Sequence, residues 1–189
     1  MNQLIAKTYA GFEEIVAGEL ESLGATDVKT GFRAVTFTGD KSVIYKTNLH
    51  SRFSLRILKH LFTFPASNEQ QLYDGIMSYD WSTLIGPDDT LAVDAALTKS
   101  NLDHSQYASL KTKDAIVDQF RRANGKRPSV DLDQPSLRIN LYIHENQASV
   151  SLDTSGSSLH KRGYRVHQGP APLSEVLAAG MLKISGWDG

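Results

Sequence analysis

The chain has 189 residues, 40% of them hydrophobic and 22% charged, enough for one large or two small globular domains with a true core. It contains no cysteine, which excludes disulfides, thiolate catalysis and cysteine-based zinc sites and suits a reducing, cytoplasmic setting. The formal charge of −1 hides a segregation: residues 1–98 carry −4 and 128–158 carry −3, while 99–127 hold seven Lys/Arg against three Asp, and 159–168 hold three basic residues and no acid. Basic clustering in a neutral chain points to a surface that faces a polyanion, against the plainer reading of solvated faces.

Leu4 to Tyr9 reads as a strand, followed by Ala10-Gly11 and a helix with Phe12, Ile15, Val16, Leu20 and Leu23 on one face, closed by Gly24. Strand-like pieces follow around 25–29 and 33–38, and Asp40 is placed to cap a helix that turns Val43, Ile44 and Thr47 inward. This β-α-β-β-α order predicts a compact α+β unit of roughly 50 residues. Ser54 to Phe64 reads as a strand closed by Pro65, and 69–78 as a short helix. Trp81 is a packing anchor ahead of the turn at Gly86-Pro87-Asp88-Asp89. Leu91, Val93, Ala95 and Leu97 alternate as a strand. Leu137, Ile139, Leu141 and Ile143 alternate with polar residues, turn at Glu145-Asn146 and return through Ala148, Val150 and Leu152 as a hairpin. Its polar positions (Arg138, Asn140, Tyr142, Ser149, Ser151) are either a contact surface or one solvated side of a sheet.

Between these strands lies the most informative stretch, residues 104–128. Ser105 is the expected N-cap, Leu110, Ile116, Val117, Phe120 and Ala123 fall in one helical arc, and Asn124-Gly125 stops the helix before a basic exit loop, Lys126-Arg127-Pro128. Asp118 and Arg122 are spaced for an i,i+4 pair opposite the apolar arc. Lys113 falls inside the arc, so it either reaches past the core edge or is aimed at an anion. After Asp153-Thr-Ser-Gly156, where the folded region is expected to end, 157–169 is loop-like. Residues 172–185 read as a final helix with a stripe of Leu173, Val176, Leu177, Met181 and Ile184. An apolar helix that ends in Trp187 has the look of a chain cut at a domain border. No apolar run approaches the roughly 18–20 residues that span a bilayer, and the N-terminus lacks the basic-then-apolar layout of a signal peptide.

No catalytic constellation emerges. His50, His60, His104, His144, His160 and His167 have no metal-ligand spacing, glycines do not cluster as in a phosphate-binding loop, and Glu13-Glu14 and Asp88-Asp89 occupy a helix start and a turn.

Several motifs, taken together, resemble a known family. They are Ala10-Gly-Phe-Glu-Glu14, His104-Ser-Gln-Tyr-Ala108 with 113–118, Arg127-Pro128 with Asp131 and Asp133, Asp153-Thr-Ser-Gly156, Leu159-His-Lys-Arg-Gly-Tyr-Arg165 and 171–179. Along almost its whole length the chain resembles the N-terminal, THUMP-containing region of bacterial large-subunit (23S) ribosomal RNA guanine-N2 methyltransferases. The resemblance implies an α+β fold: a ferredoxin-like unit over 1–53, a THUMP RNA-binding domain over 54–156, and over 157–189 a linker and first helix leading to a methyltransferase domain. That domain would use S-adenosylmethionine, and its glycine-rich cofactor loop and Asn/Asp-Pro-Pro-Tyr motif have no counterpart here. No catalytic residue, metal or cofactor is therefore expected within these residues, and the fragment is expected to be inactive alone.

On this reading the partners are large-subunit ribosomal RNA and the protein's own methyltransferase domain, with no membrane. Lys111, Lys113, Arg121, Arg122, Lys126 and Arg127 would form one RNA-contacting edge, extended by Lys161, Arg162 and Arg165. The last three are equally read as a linker that pairs with acids of the methyltransferase domain. Two rival functions remain: a scaffold domain whose basic helix binds an acidic protein, and a THUMP module acting on transfer RNA.

Overall fold

The computed structural model describes residues 1–163, 167 and 169–187. Two compact units emerge, one formed by 1–59 with the segment from 154 onward, the other by 60–153.

In the first unit, β1 (Asn2–Lys7), α1 (Glu13–Ser22), β2 (Thr26–Gly31), β3 (Ala34–Gly39), α2 (Lys41–His50) and the start of β4 (Arg56–Pro65) follow in chain order. The strands lie as β2-β3-β1-β4, with β1 antiparallel to both neighbours (Leu4 opposite Phe37, Ala6 opposite Ile57). This is the ferredoxin-like βαββαβ arrangement expected from the sequence. Alternation drives it: Leu4, Ala6, Val35, Phe37 and Ile57 face one side and are buried against Val16 and Leu20 of α1 and Val43 of α2. Asp40 caps α2 as expected, its Oδ1 accepting from Val43 N at 2.9 Å.

The folded region does not end at Gly156. Thr154 N donates to Ile57 O, Ser155 Oγ accepts from Ile57 N and donates to Asn48 Oδ1, and Leu159 is buried with its N–H on Leu55 O. Side chain-to-backbone bonds of Ser and Thr hold this segment, and they leave no periodic trace in a sequence. The last helix, α5, spans Glu175–Ile184, starting three residues later than expected. Its buried side is Val176 and Gly180, whereas Leu173, Met181 and Ile184 of the expected stripe are exposed. The inner face follows small residues that leave room for Phe12, whose ring occupies the space where a Cβ on Gly180 would stand.

The second unit contains the rest of β4, α3 (Glu69–Met77), a 3-10 turn at Trp81–Thr83, β5 (Thr90–Thr98), α4 (Ser105–Asn124), β6 (Ser129–Val130), β7 (Leu137–His144) and β8 (Gln147–Asp153). Strand order is β4-β8-β7-β5-β6. The β7–β8 hairpin pairs His144 with Gln147 across Glu145-Asn146, both at positive φ, as a two-residue hairpin turn requires. β5 runs parallel to β7, Leu91 beside Leu137 and Leu97 beside Ile143, a pairing reached through the α4 crossover. The core gathers Trp81, Leu91, Ile116, Phe120, Ile139, Leu141 and Val150. Trp81 anchors it as expected, its Nε1 donating to Ile76 O at 2.8 Å. On the polar side of the hairpin Asn140 and Ser151 are buried and Tyr142 is exposed. No helix among the described residues is long and apolar enough to cross a membrane.

Candidate nucleic-acid interface

Helix α4 begins one position away from the predicted cap: His104 is the N-cap, with no side-chain cap bond, and Ser105 is the first helical residue. Its inner face is Ala108, Thr112, Ala115, Ile116, Val117 and Phe120, while Leu110 and Ala123, expected inside, are exposed. Gly125 ends the helix in the left-handed region (φ 70°), its N–H on Arg121 O.

This orientation distributes the six cations of the α4 region unevenly. Lys111 is half-buried with its Nζ 5.4 Å from the Tyr73 ring centroid, a cation-π contact that holds it along α3. Lys113 stands about 200° around the helix from Lys111, since each residue advances about 100°. Its stem is largely covered and its ammonium reaches Asp114 at 2.6 Å, so it emerges past the core edge. Lys111 and Lys113 therefore do not share one edge. Asp118 pairs with Arg121 (3.4 Å, i,i+3) in place of the predicted Arg122, and also accepts from the Tyr73 hydroxyl at 2.9 Å. Burial, reinforced by that carboxylate, raises the Tyr73 pKa. Arg122 shares the Lys111 side of the helix, because eleven residues at about 100° each bring it to within about 20° of three full turns. Lys126 and Arg127 are exposed on the exit loop, with Lys126 Nζ 3.6 Å from Asp88. Pairs this exposed contribute little to stability and exchange readily for another anion.

Lys161 and Arg162 lie in the first unit and are exposed, while Arg165 lies outside the described residues. Arg162 Nη1 donates to Asn48 O and Leu49 O and Nη2 to Ser51 O, at 2.7–3.2 Å, so its guanidinium closes the C-terminal end of α2. The sequence motif around Arg162 signalled a cation; the carbonyls that receive it were invisible until α2 was placed. Reading the sequence also missed Gln119. Its amide donates to Met77 O and Tyr79 O and its Oε1 accepts from Trp81 N, tying the 77–81 segment to α4.

Among the described residues no group of three His, Asp or Glu is placed to hold a metal ion. An S-adenosylmethionine site does not fit either unit: the strands of each pair in antiparallel or mixed fashion, and among the described residues no glycine-rich loop follows a strand into a helix. The recess of about 460 Å³ between 160–163 and 172–175 is lined by His160, Lys161, Glu175 and neighbours, without such a loop.

What these features define together is a ferredoxin-like N-terminal unit followed by a THUMP domain. Residues 3–58 match the RlmL ferredoxin-like domain, 66–153 the THUMP domain, and 162–189 the RMKL-like methyltransferase domain. In Synechocystis sp., the protein named "Putative RNA methyltransferase slr0064" is 45% identical over 94% of this chain and 46% of its own length. A Listeria monocytogenes structure titled as a predicted N6-adenine-specific DNA methylase is 30% identical (TM-score 0.84, covering 98% of this chain and 49% of that one). The structure titled "SMU.472, a putative methyltransferase complexed with SAH" is 32% identical (TM-score 0.83, covering 98% and 49%). The chain thus spans about half the length of the relatives it matches.

Proposed function

We propose that this chain is the RNA-binding part of an S-adenosylmethionine-dependent RNA methyltransferase that positions large-subunit ribosomal RNA for guanine-N2 methylation in the cytoplasm. The observation that carries the reading is the order of domain matches, a ferredoxin-like unit, a THUMP domain and then the opening of a methyltransferase domain, in a chain 45% identical to a protein named for RNA methylation. By role, 1–53 and 54–156 carry RNA and 157–189 leads toward the catalytic domain. Methyl donor and catalytic residues belong to that domain, and these 189 residues alone turn nothing over.

Lys111, Lys113, Arg121, Arg122, Lys126 and Arg127 supply the phosphate contacts, Lys126 and Arg127 foremost because they are exposed and on a loop. A folded ribosomal RNA stem is recognised largely by phosphate, 2′-hydroxyl and shape, which a rigid helix with a basic exit loop can engage. Lys161, Arg162 and Arg165 extend that surface or join the catalytic domain. The bonds of Arg162 to α2 favour a positioning role for it.

One observation favours the rival of an acidic protein partner: Lys113, Arg121 and Lys126 each already pair with a carboxylate within 3.6 Å. Titration of the chain with a labelled ribosomal RNA hairpin at two salt concentrations, beside matched DNA and transfer RNA, separates the readings. Preferential, salt-sensitive binding to the ribosomal hairpin, weakened with a shallower salt slope by Lys126→Glu/Arg127→Glu, is expected. No binding at low salt would reject the RNA reading, and equal or tighter binding of transfer RNA or DNA would reassign the substrate.

A further inference from the structure

The first unit divides its charge between its two helices. α1 carries Glu13, Glu14, Glu19 and Glu21 and no basic residue, whereas α2 carries Lys41 and Lys46 and no acid. Burial of Val43 and Thr47 fixes the inner face of α2 and turns Lys41, Tyr45, Lys46 and Leu49 outward. Tyr45 and Leu49, one helical turn apart, are 63% and 69% exposed. Lys41 Nζ stands 5.8 Å from the centroid of the Tyr45 ring, so ammonium and ring present one surface. At the end of the same helix, Arg162 is fixed beside Leu49 by its three carbonyl bonds, which leave two of its five N–H donors over. Among the described residues, neither Lys41, Lys46 nor Arg162 has a carboxylate at ion-pair distance.

A helix whose cations stay unpaired while an aromatic ring is held outward among them has the two elements that bind a nucleic acid strand: charge for phosphates and a flat apolar face for a base. We propose that the outer face of α2 is a second RNA-contacting surface, on which Lys41 and Lys46 meet phosphates, Tyr45 stacks on an unpaired base, and Arg162 braces the end of the helix. This rests on the RNA reading of the chain. RNA fits better than an acidic peptide because the ring is a lone one, flanked by cations on its own helix, and the basic end of α4 already calls for the same ligand.

The test uses the 189-residue chain and two ribosomal RNA hairpins, one blunt and one with a single-stranded 3′ extension. Lys41→Glu/Lys46→Glu, Tyr45→Ala and the α4 control Lys126→Glu/Arg127→Glu are each checked for an unchanged melting temperature. The lysine pair is expected to weaken binding about tenfold or more and to lower the slope of log K against log salt by about 1.4. Tyr45→Ala is expected to weaken binding of the extended hairpin at least about fivefold and the blunt one less. Unchanged affinity and slope for both α2 variants overturns the proposal; if the α4 control still loses binding, the RNA reading survives it. A Lys41/Lys46-dependent affinity for poly-glutamate, with RNA binding untouched by the same variants, also overturns it.

Discussion

Gln119 lies on the inner half of α4, where a sequence reader expects an apolar side chain, and spends both amide donors and its carbonyl oxygen on three backbone groups of residues 77–81. Truncation would leave Trp81 N–H and two carbonyls without partners beside the core, and an unsatisfied buried group costs about 1–3 kcal/mol. Gln119→Ala should therefore lower the unfolding free energy by about 2–3 kcal/mol, read as a reduced denaturant midpoint at constant m. His60 makes a different case. Among the described residues its ring bonds the hydroxyls of Ser149 (3.2 Å) and Thr63 (3.3 Å), and burial lowers its pKa below the ordinary 6.5. The folded chain then favours the neutral ring while the unfolded chain takes up a proton near pH 6.5, so the contribution of His60 is full above that pH and is lost as pH falls through it toward the folded pKa. Stability should drop more steeply between pH 7.5 and 5.5 in the natural chain than in His60→Asn, measured by denaturant titration at each pH; parallel curves would refute the burial argument.

Among the elements, β1, β3, β5, β7, β8 and the first two helices were readable because one face is buried and the other wet, which writes a period of 2 or 3.6 into the sequence, whereas the two exposed residues of β6 carry no such period and went unread. Asp40, Trp81 and the Glu145-Asn146 turn were legible for equally local reasons. The face of α5 was misread: Leu173, Met181 and Ile184 are exposed, and the buried side is set by Val176 and by Gly180 fitting against Phe12, a contact far apart in sequence that the helical wheel does not contain. Gly180→Ala would set a propensity gain of about 1 kcal/mol against that clash, so Gly180→Leu is the cleaner probe. Overpacking of this kind costs about 1–3 kcal/mol. Amide hydrogen exchange should rise selectively across 175–184, leaving 105–124 protected. The basic surface was legible as charge count alone. That Lys111 and Lys113 diverge, that Asp118 takes Arg121, and that Arg162 belongs to α2 depend on which face is buried and on contacts more than a hundred residues apart in sequence.

For the molecule as a whole, the first unit is assembled from two separated stretches of chain. Thr154, Ser155, Leu159, Arg162 and Val176 all bond to or pack within it, although 94 residues of the second unit intervene. A chain ending at Asp153 should therefore keep the second unit at nearly its full stability. The first should lose the burial of Leu159 and the hydrogen bonds at Asn48, Leu55 and Ile57. Site-resolved exchange in the truncated chain is expected to show faster exchange in β1, β3 and α2 and unchanged protection in β5 and β7. Uniform loss across both units would mean that they fold as one.

The pairing of Thr154 N with Ile57 O, at 3.0 Å, has a consequence for synthesis on the ribosome. The two ends of the second unit enter and leave at neighbouring points, so residues 60–153 form a closed cassette that can complete itself while the polypeptide is still emerging. The first unit, begun earlier, has to wait, its seam near Phe12 and Leu55 open until the segment from 154 to 180 has emerged. The unit begun first is thus completed after the one that interrupts it, and the nascent chain carries an exposed apolar seam while residues 60–153 are being made.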